Sequence, residues 1–249
     1  MSKSESVFSP FGIYEVKDTL CLSLPNTEIK IERMGDNAFS YFRKDSEGNI
    51  VEKMIPSKSN ELELEMAPIK PLNHPAKRTE NIFLKFDKEI YLSENSAASI
   101  FVHCPIEIGF FLIHDSKRDP LDWVTCNPIN SRFGLYGTPD TGTLCKYAEV
   151  SLATDFDDSI PYVEGVMKII IENTLNVGHT VSKVVFPIVN NSLYYEDSKT
   201  IIDGIKVIMK KRAMVSIADI KINSLETNWT KSPTWETSTT NTNMEMGID

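Results

Sequence analysis

Glu107 is the side chain whose setting in this sequence most invites chemistry. It lies inside residues 100–113, Ile-Phe-Val-His-Cys-Pro-Ile-Glu-Ile-Gly-Phe-Phe-Leu-Ile, the most apolar and aromatic-rich run of the chain. The run is too short to cross a bilayer and rich in strand-forming residues, so it reads as strand buried on both faces. Counting every second residue puts Ile108, Phe110 and Leu112 on one face and Glu107, Gly109, Phe111 and Ile113 on the other. A carboxylate therefore points the same way as a core phenylalanine. Burial without a partner is costly, so Glu107 must be paired, hydrogen-bonded or at the edge of a cavity.

Residues of suitable type lie downstream. Arg132 or Lys146 can neutralise Glu107, and Tyr136 and Tyr147 can wall a cleft over Gly109, which has no side chain to fill it. Glu107, Gly109, Arg132, Tyr136, Lys146 and Tyr147 form the candidate ligand-binding set; no residue is assigned a catalytic role. The competing reading, and the commoner use of buried pairs, is a structural ion pair that fixes a glycine-rich loop on the sheet.

Other chemistries fit less well. Zinc could use His103, Cys104, His114, Cys126 and Cys145, but the chain has no Cys-x-x-Cys pair, and neighbours on a strand point to opposite faces. Asp155, Asp157 and Asp158 offer oxygen ligands for calcium. In the EF-hand frame, however, Ile160 stands where glycine is required and Val166 where glutamate is required. Gly134, Gly137 and Gly142 do not make a phosphate loop, since Gly142 is followed by Thr143-Leu144 rather than by lysine and a hydroxyl residue. Cys145 is the best single nucleophile, yet Lys146 beside it should face away. No metal or cofactor is expected.

The elements that must position Glu107 belong to an ordinary globular chain. Hydrophobic residues make up 41% and charged residues 24% of the 249 residues, enough to bury a substantial core. The net charge of -9 argues against nucleic acid as a partner, because phosphate binding needs a basic surface. Lys210-Lys211-Arg212, the one basic triplet, reads as a solvated hairpin tip. The first ten residues lack the apolar core of a signal peptide and no run is long enough for a transmembrane helix, so a cytoplasmic protein is expected. Four widely spaced cysteines suit reduced thiols.

Alternation recurs along the chain. Glu28-Ile29-Lys30-Ile31-Glu32 and Glu61-Leu62-Glu63-Leu64-Glu65 predict strands with one face in solvent. Residues 39–43 and 50–55 flank a loop of turn formers and predict a hairpin. Pro68, Pro71 and Pro75 oppose both helix and interior strand. Pro105 divides the central run into two strands, residues 115–120 read as loop, and residues 133–142 as an ordered, tightly turned loop. Strands are expected at 144–152, 165–172, 180–186, 204–209 and 214–222. From Ser224 onward Ser, Thr and Asn dominate without apolar periodicity.

The predicted architecture is mainly β: an antiparallel β-sandwich of two packed sheets, with a smaller N-terminal β module and little helix. The expected boundaries are 1–67 for the N-terminal module, 68–78 for a proline-rich junction, 79–223 for the sandwich and 224–249 for a disordered tail.

Several spaced pieces resemble one family. They are Pro105-Ile106-Glu107-Ile108-Gly109, Leu135-Tyr136-Gly137 with Gly142, Cys145-Lys146-Tyr147, Glu164-Gly165-Val166-Met167-Lys168 through Asn173, Val184-Val185-Phe186 and Tyr194-Tyr195. The family is an archaeal one known only as domain of unknown function 432. The resemblance implies an archaeal, cytoplasmic origin and supplies no activity, cofactor or catalytic residue. Where that family usually has Arg before the tyrosine, this chain has Lys146, which keeps the charge without the bidentate geometry. The function expected is a non-enzymatic binding module for another protein or a ligand. The alternative is an enzyme acting on a small polar or anionic substrate near Glu107, Tyr136 and Lys146, with Glu107 as acid or base.

Overall fold

A computed structural model describes residues 8–45, 47–74, 77–127, 132–153, 159–212 and 215–236. The fold is mainly β, as the alternation predicts, and its packed sheets are consistent with a β-sandwich. Among the described residues the helix is a 3-10 turn, Ile188–Asn190. The acidic residues 155–158 lie outside the described residues.

The N-terminal strands are β1 (Gly12–Val16), β2 (Thr19–Leu24), β3 (Thr27–Arg33), β4 (Ala38–Lys44), β5 (Ile50–Pro56) and β6 (Leu62–Ile69). Strands β2 to β5 form an antiparallel meander. The β4–β5 hairpin appears where the turn formers predict it. Asp45 Oδ1 accepts from the backbone N–H groups of Glu47 and Asn49 at 3.0 and 2.9 Å, and Gly48 takes a positive φ of 83°. On β3, Ile29 and Ile31 are buried while Glu28 and Lys30 are exposed.

The central strands are β7 (Asn81–Leu92), β8 (Ser96–Pro105), β9 (Glu107–His114), β10 (Lys117–Val124), β11 (Arg132–Tyr136) and β12 (Thr143–Val150). After them come β13 (Leu152–Ala153), β14 (Glu164–Asn173), β15 (His179–Pro187), β16 (Leu193–Glu196), β17 (Lys199–Arg212), β18 (Val215–Asn223) and β19 (Thr230–Lys231). Three further sheets run in the orders β1-β6-β9-β10, β11-β12-β7-β15 and β13-β8-β14-β17-β16-β19, with β18 also on β17. Two pairings, β12 with β7 and β14 with β17, are parallel. The basic triplet ends β17, where Lys210 reaches Asp219 of β18 at 2.8 Å.

The predicted break in the central run is real and is the pivot of the architecture. Strand β8 ends at Pro105, Ile106 donates its N–H to Val163 O at 3.0 Å, and β9 starts in a different sheet. Both faces of β9 are buried at its start, since Glu107, Ile108, Phe110 and Phe111 are each at most 2% exposed. Pairing continues across the proline-rich segment: β6 joins β9 with Ile69 opposite Glu107, and the buried side chains from both parts form one contiguous core.

Several local expectations are corrected. Residues 117–120 are strand, not loop, because Asp115 and Ser116 adopt positive φ values of 47° and 67° and close a tight turn. Pro120 is tolerated because β10 is an edge strand, and the ladder shifts register between Pro120 and Asp122. Residues 133–136 belong to β11, and the tight turn begins only at Gly137, whose φ is 112°. Pro68 lies within β6 opposite Ile108, where β1, whose pairing ends at Met66, no longer covers the other edge. Glu65 is buried rather than solvated, between Tyr195 Oη at 3.0 Å and Arg118 Nε at 2.8 Å.

The disordered tail expected from Ser224 is corrected for its described part. Strand β19 pairs with β16, and the Trp235 ring packs edge-on against Phe111 with centroids 5.4 Å apart. One indole supplies the apolar anchor that a Ser/Thr/Asn-rich composition conceals.

Candidate functional site

Glu107 stands at the pivot between two sheets, and the chain leaving β6 folds back over it. Its carboxylate accepts Asn73 N at 3.1 and 3.0 Å, Asn73 Nδ2 at 2.8 Å and His74 N at 2.9 Å. Burial pushes its pKa up from 4.5 to about 7 against those donors and the charge of Lys146. Lys146, on β12, is only 4% exposed and donates from Nζ to His74 O. Burial lowers the pKa of this ammonium, and Glu107 opposes the shift. Burial and Lys146 together lower the pKa of His74.

Glu107 and Lys146 line a cavity of about 360 Å³. Of the six residues singled out from the sequence, Glu107, Arg132, Lys146 and Tyr147 line it, while Tyr136 and Gly109 do not. Arg132 does not neutralise Glu107. Its guanidinium bonds Glu149 at 2.9 Å and lies 4.3 Å from the centroid of the Tyr147 ring, whose hydroxyl reaches Glu149 at 2.9 Å. Arg132 and Glu149 are exposed and Tyr147 is half-buried, whereas Glu107 and Lys146 are buried. Tyr136 is turned to Phe83, with ring centroids 6.0 Å apart. The space beside Gly109 is already filled, because a Cβ there would stand 2.8 Å from Ile69 Cγ2 and 2.8 Å from the Phe111 ring.

The cavity also contains residues that the sequence reading missed or assigned elsewhere. His103 Nδ1 lies 3.6 Å from Glu164, while His103 Nε2 is buried without a hydrogen-bond partner among the described residues. Thr125 and Asn127 complete the polar lining. Asn73 and His74, which bond Glu107 without lining the cavity, had a signal in principle, as the polar pair embedded between Pro71 and Pro75. Glu164 stood in one of the pieces that carry the family resemblance, but its place beside His103 depends on β14 pairing with β8 opposite Pro105. Among the described residues no group of three or more His, Cys, Asp or Glu is placed to hold a metal ion. The arrangement offers donors from Lys146 and Arg132 and acceptors from Glu107, Glu149 and Glu164, a lining suited to a small ligand carrying both kinds of group.

Among the described residues no helix is long and apolar enough to cross a membrane. Comparison with curated proteins finds no match, and comparison with solved structures likewise finds none. A model of the family described as "Protein of unknown function (DUF432)" matches residues 10–247, almost the whole chain. The chain belongs to this DUF432 family.

Proposed function

We propose that this protein is a binding module for a small polar ligand seated in the Glu107–Lys146 cavity. The observation that carries this reading is the concavity itself: oppositely charged, largely buried side chains from β9 and β12 meet in one cavity. A concave polar site of this kind favours a small ligand over another protein as the occupant. The setting we propose is cytoplasmic. Supporting it, Cys104, Cys126 and Cys145 are buried and free and Cys21 is exposed and free; an archaeal origin is proposed with it.

Enzymatic use of the same cavity is the second reading. It is favoured by Glu107, whose pKa of about 7 lets it give and take a proton near neutrality beside a lysine. The binding reading is tested by thermal denaturation of the full chain against a panel of small polar metabolites, repeated on Lys146→Gln and Glu149→Gln. A stabilising ligand whose effect falls at least tenfold in concentration dependence in either variant supports the site. A panel that stabilises neither the wild-type chain nor the variants, or stabilises all three equally, refutes it. Chemical turnover of the stabilising ligand, followed by NMR, separates enzyme from binder.

A further inference from the structure

A second cavity, of about 550 Å³, is lined by the segment that follows β6, the 3-10 turn and the chain beyond β19. Lys70, Lys77 and Lys231 all line it, in a chain whose net charge is -9. None of the three has a carboxylate within ion-pair distance among the described residues. By contrast, Lys17, Lys30, Lys85, Lys206 and Lys210 each have one. Glu80 and Glu236 also line the cavity and are exposed.

Lys70 is half-buried and donates one hydrogen bond, to Val189 O at 2.5 Å, leaving two of its three ammonium donors without a described partner. Burial lowers its pKa; Glu236 and Asp203 act against this, and Lys231 and Lys77 reinforce it. A further donor, Trp235 Nε1, is buried with no hydrogen-bond partner among the described residues, although its ring is held in place by Phe111. Such a group is expensive to leave unsatisfied. Asn191 Oδ1, also buried and unpartnered, adds one acceptor, while its amide nitrogen is tied to Asp203 O at 2.8 Å.

Three cations without carboxylate partners among the described residues share one cavity, beside the ring of Trp235. We propose that this cavity binds a small anion whose carboxylate or phosphoryl group is held by Lys70, Lys77 and Lys231 beside the Trp235 ring. The volume lies within the range of metabolite-sized sites. The two cavities share no lining residue, and Asn73, which lines this one, also bonds the Glu107 carboxylate.

The test uses the full chain at constant ionic strength, with glycerol 3-phosphate and glycerate as probes and glycerol as the neutral control. Thermal denaturation is combined with the indole N–H region of a ¹⁵N spectrum, in which three tryptophans give three signals. The Trp235 signal is assigned from Trp235→Phe, or by elimination from Trp123→Phe and Trp229→Phe. The expected result is a saturable shift of that signal with at least one of the two anions. A hundredfold excess over Kd should raise Tm by about 5–10 °C. The more effective anion distinguishes a phosphoryl from a carboxylate ligand.

The double variant Lys77→Gln/Lys231→Gln, at two exposed positions, should be at least as stable as wild type without anion, because repulsion on Lys70 is relieved. It should bind the effective anion at least tenfold more weakly. The proposal is overturned if neither anion shifts the Trp235 signal saturably at millimolar concentration, if glycerol alone reproduces the effect, or if the double variant binds as wild type does.

Discussion

Replacing Glu107 by Gln should change how stability depends on pH, and the direction follows from the site. In the folded chain burial raises the Glu107 pKa from 4.5 to about 7, so the folded state holds this proton more tightly than the unfolded state. The resulting stabilisation is fully present below about pH 4.5 and is lost as pH rises through about 7. A tenfold change in proton affinity is worth about 1.4 kcal/mol, so the whole excursion amounts to about 3 kcal/mol. The carboxylate is 2% exposed, so solvent screening does little to reduce this.

Glutamine does not titrate and keeps the side chain's shape. The stability of wild type minus that of Glu107→Gln should therefore fall by about 3 kcal/mol between pH 4.5 and pH 8. Groups remote from Glu107 cancel in the subtraction, which reports Glu107 together with its coupling to Lys146. Urea unfolding followed by tryptophan fluorescence at pH 4.5, 6 and 8 measures it. A difference that is flat with pH, or that grows as pH rises, would refute the reasoning. It would mean that Lys146 and the three N–H donors from Asn73 and His74 outweigh burial and hold Glu107 charged.

Other perturbations report on the frame around the site. Asp122 joins Arg43 Nε at 2.6 Å and Tyr41 Oη at 2.8 Å, tying β4 to β10, and Asp122→Ala should cost about 3 kcal/mol in urea unfolding because it leaves a buried guanidinium short of a partner. Gly109→Ala drives a methyl group into Ile69 and the Phe111 ring, each 2.8 Å away, and should lower stability by about 1–3 kcal/mol in the same assay. Of the four thiols only Cys21 is exposed, so a native chain should react with a disulfide reagent at one thiol and an unfolded chain at four. Burial pushes the Cys126 thiol up to about 12 and Cys104 higher still, which reinforces that contrast.

The sequence by itself determined the fold class, most strand positions and the singular character of Glu107. Each of these is written in period-two alternation or in a run of core residues broken by one proline. It also carried the break at Pro105, because a proline cannot continue a ladder through both of its neighbours.

Tertiary structure decided which side chains meet. Arg132 and Lys146 both carry positive charge and lie on paired strands. Yet only Lys146, on the central member of the pair, is buried beside Glu107, while Arg132 on the edge strand turns to Glu149. Register placed Gly109 opposite Ala67 and diagonal to Ile69, whose side chain with the Phe111 ring fills the space the missing side chain suggested. The lysine cavity was equally invisible, since Lys70, Val189 and Trp235 are distant in the chain and are brought together by a two-residue strand and one aromatic contact. Alternation is a local property that propagates along a strand. The meeting of charged groups depends on the pairing of strands far apart in sequence, which no local pattern encodes.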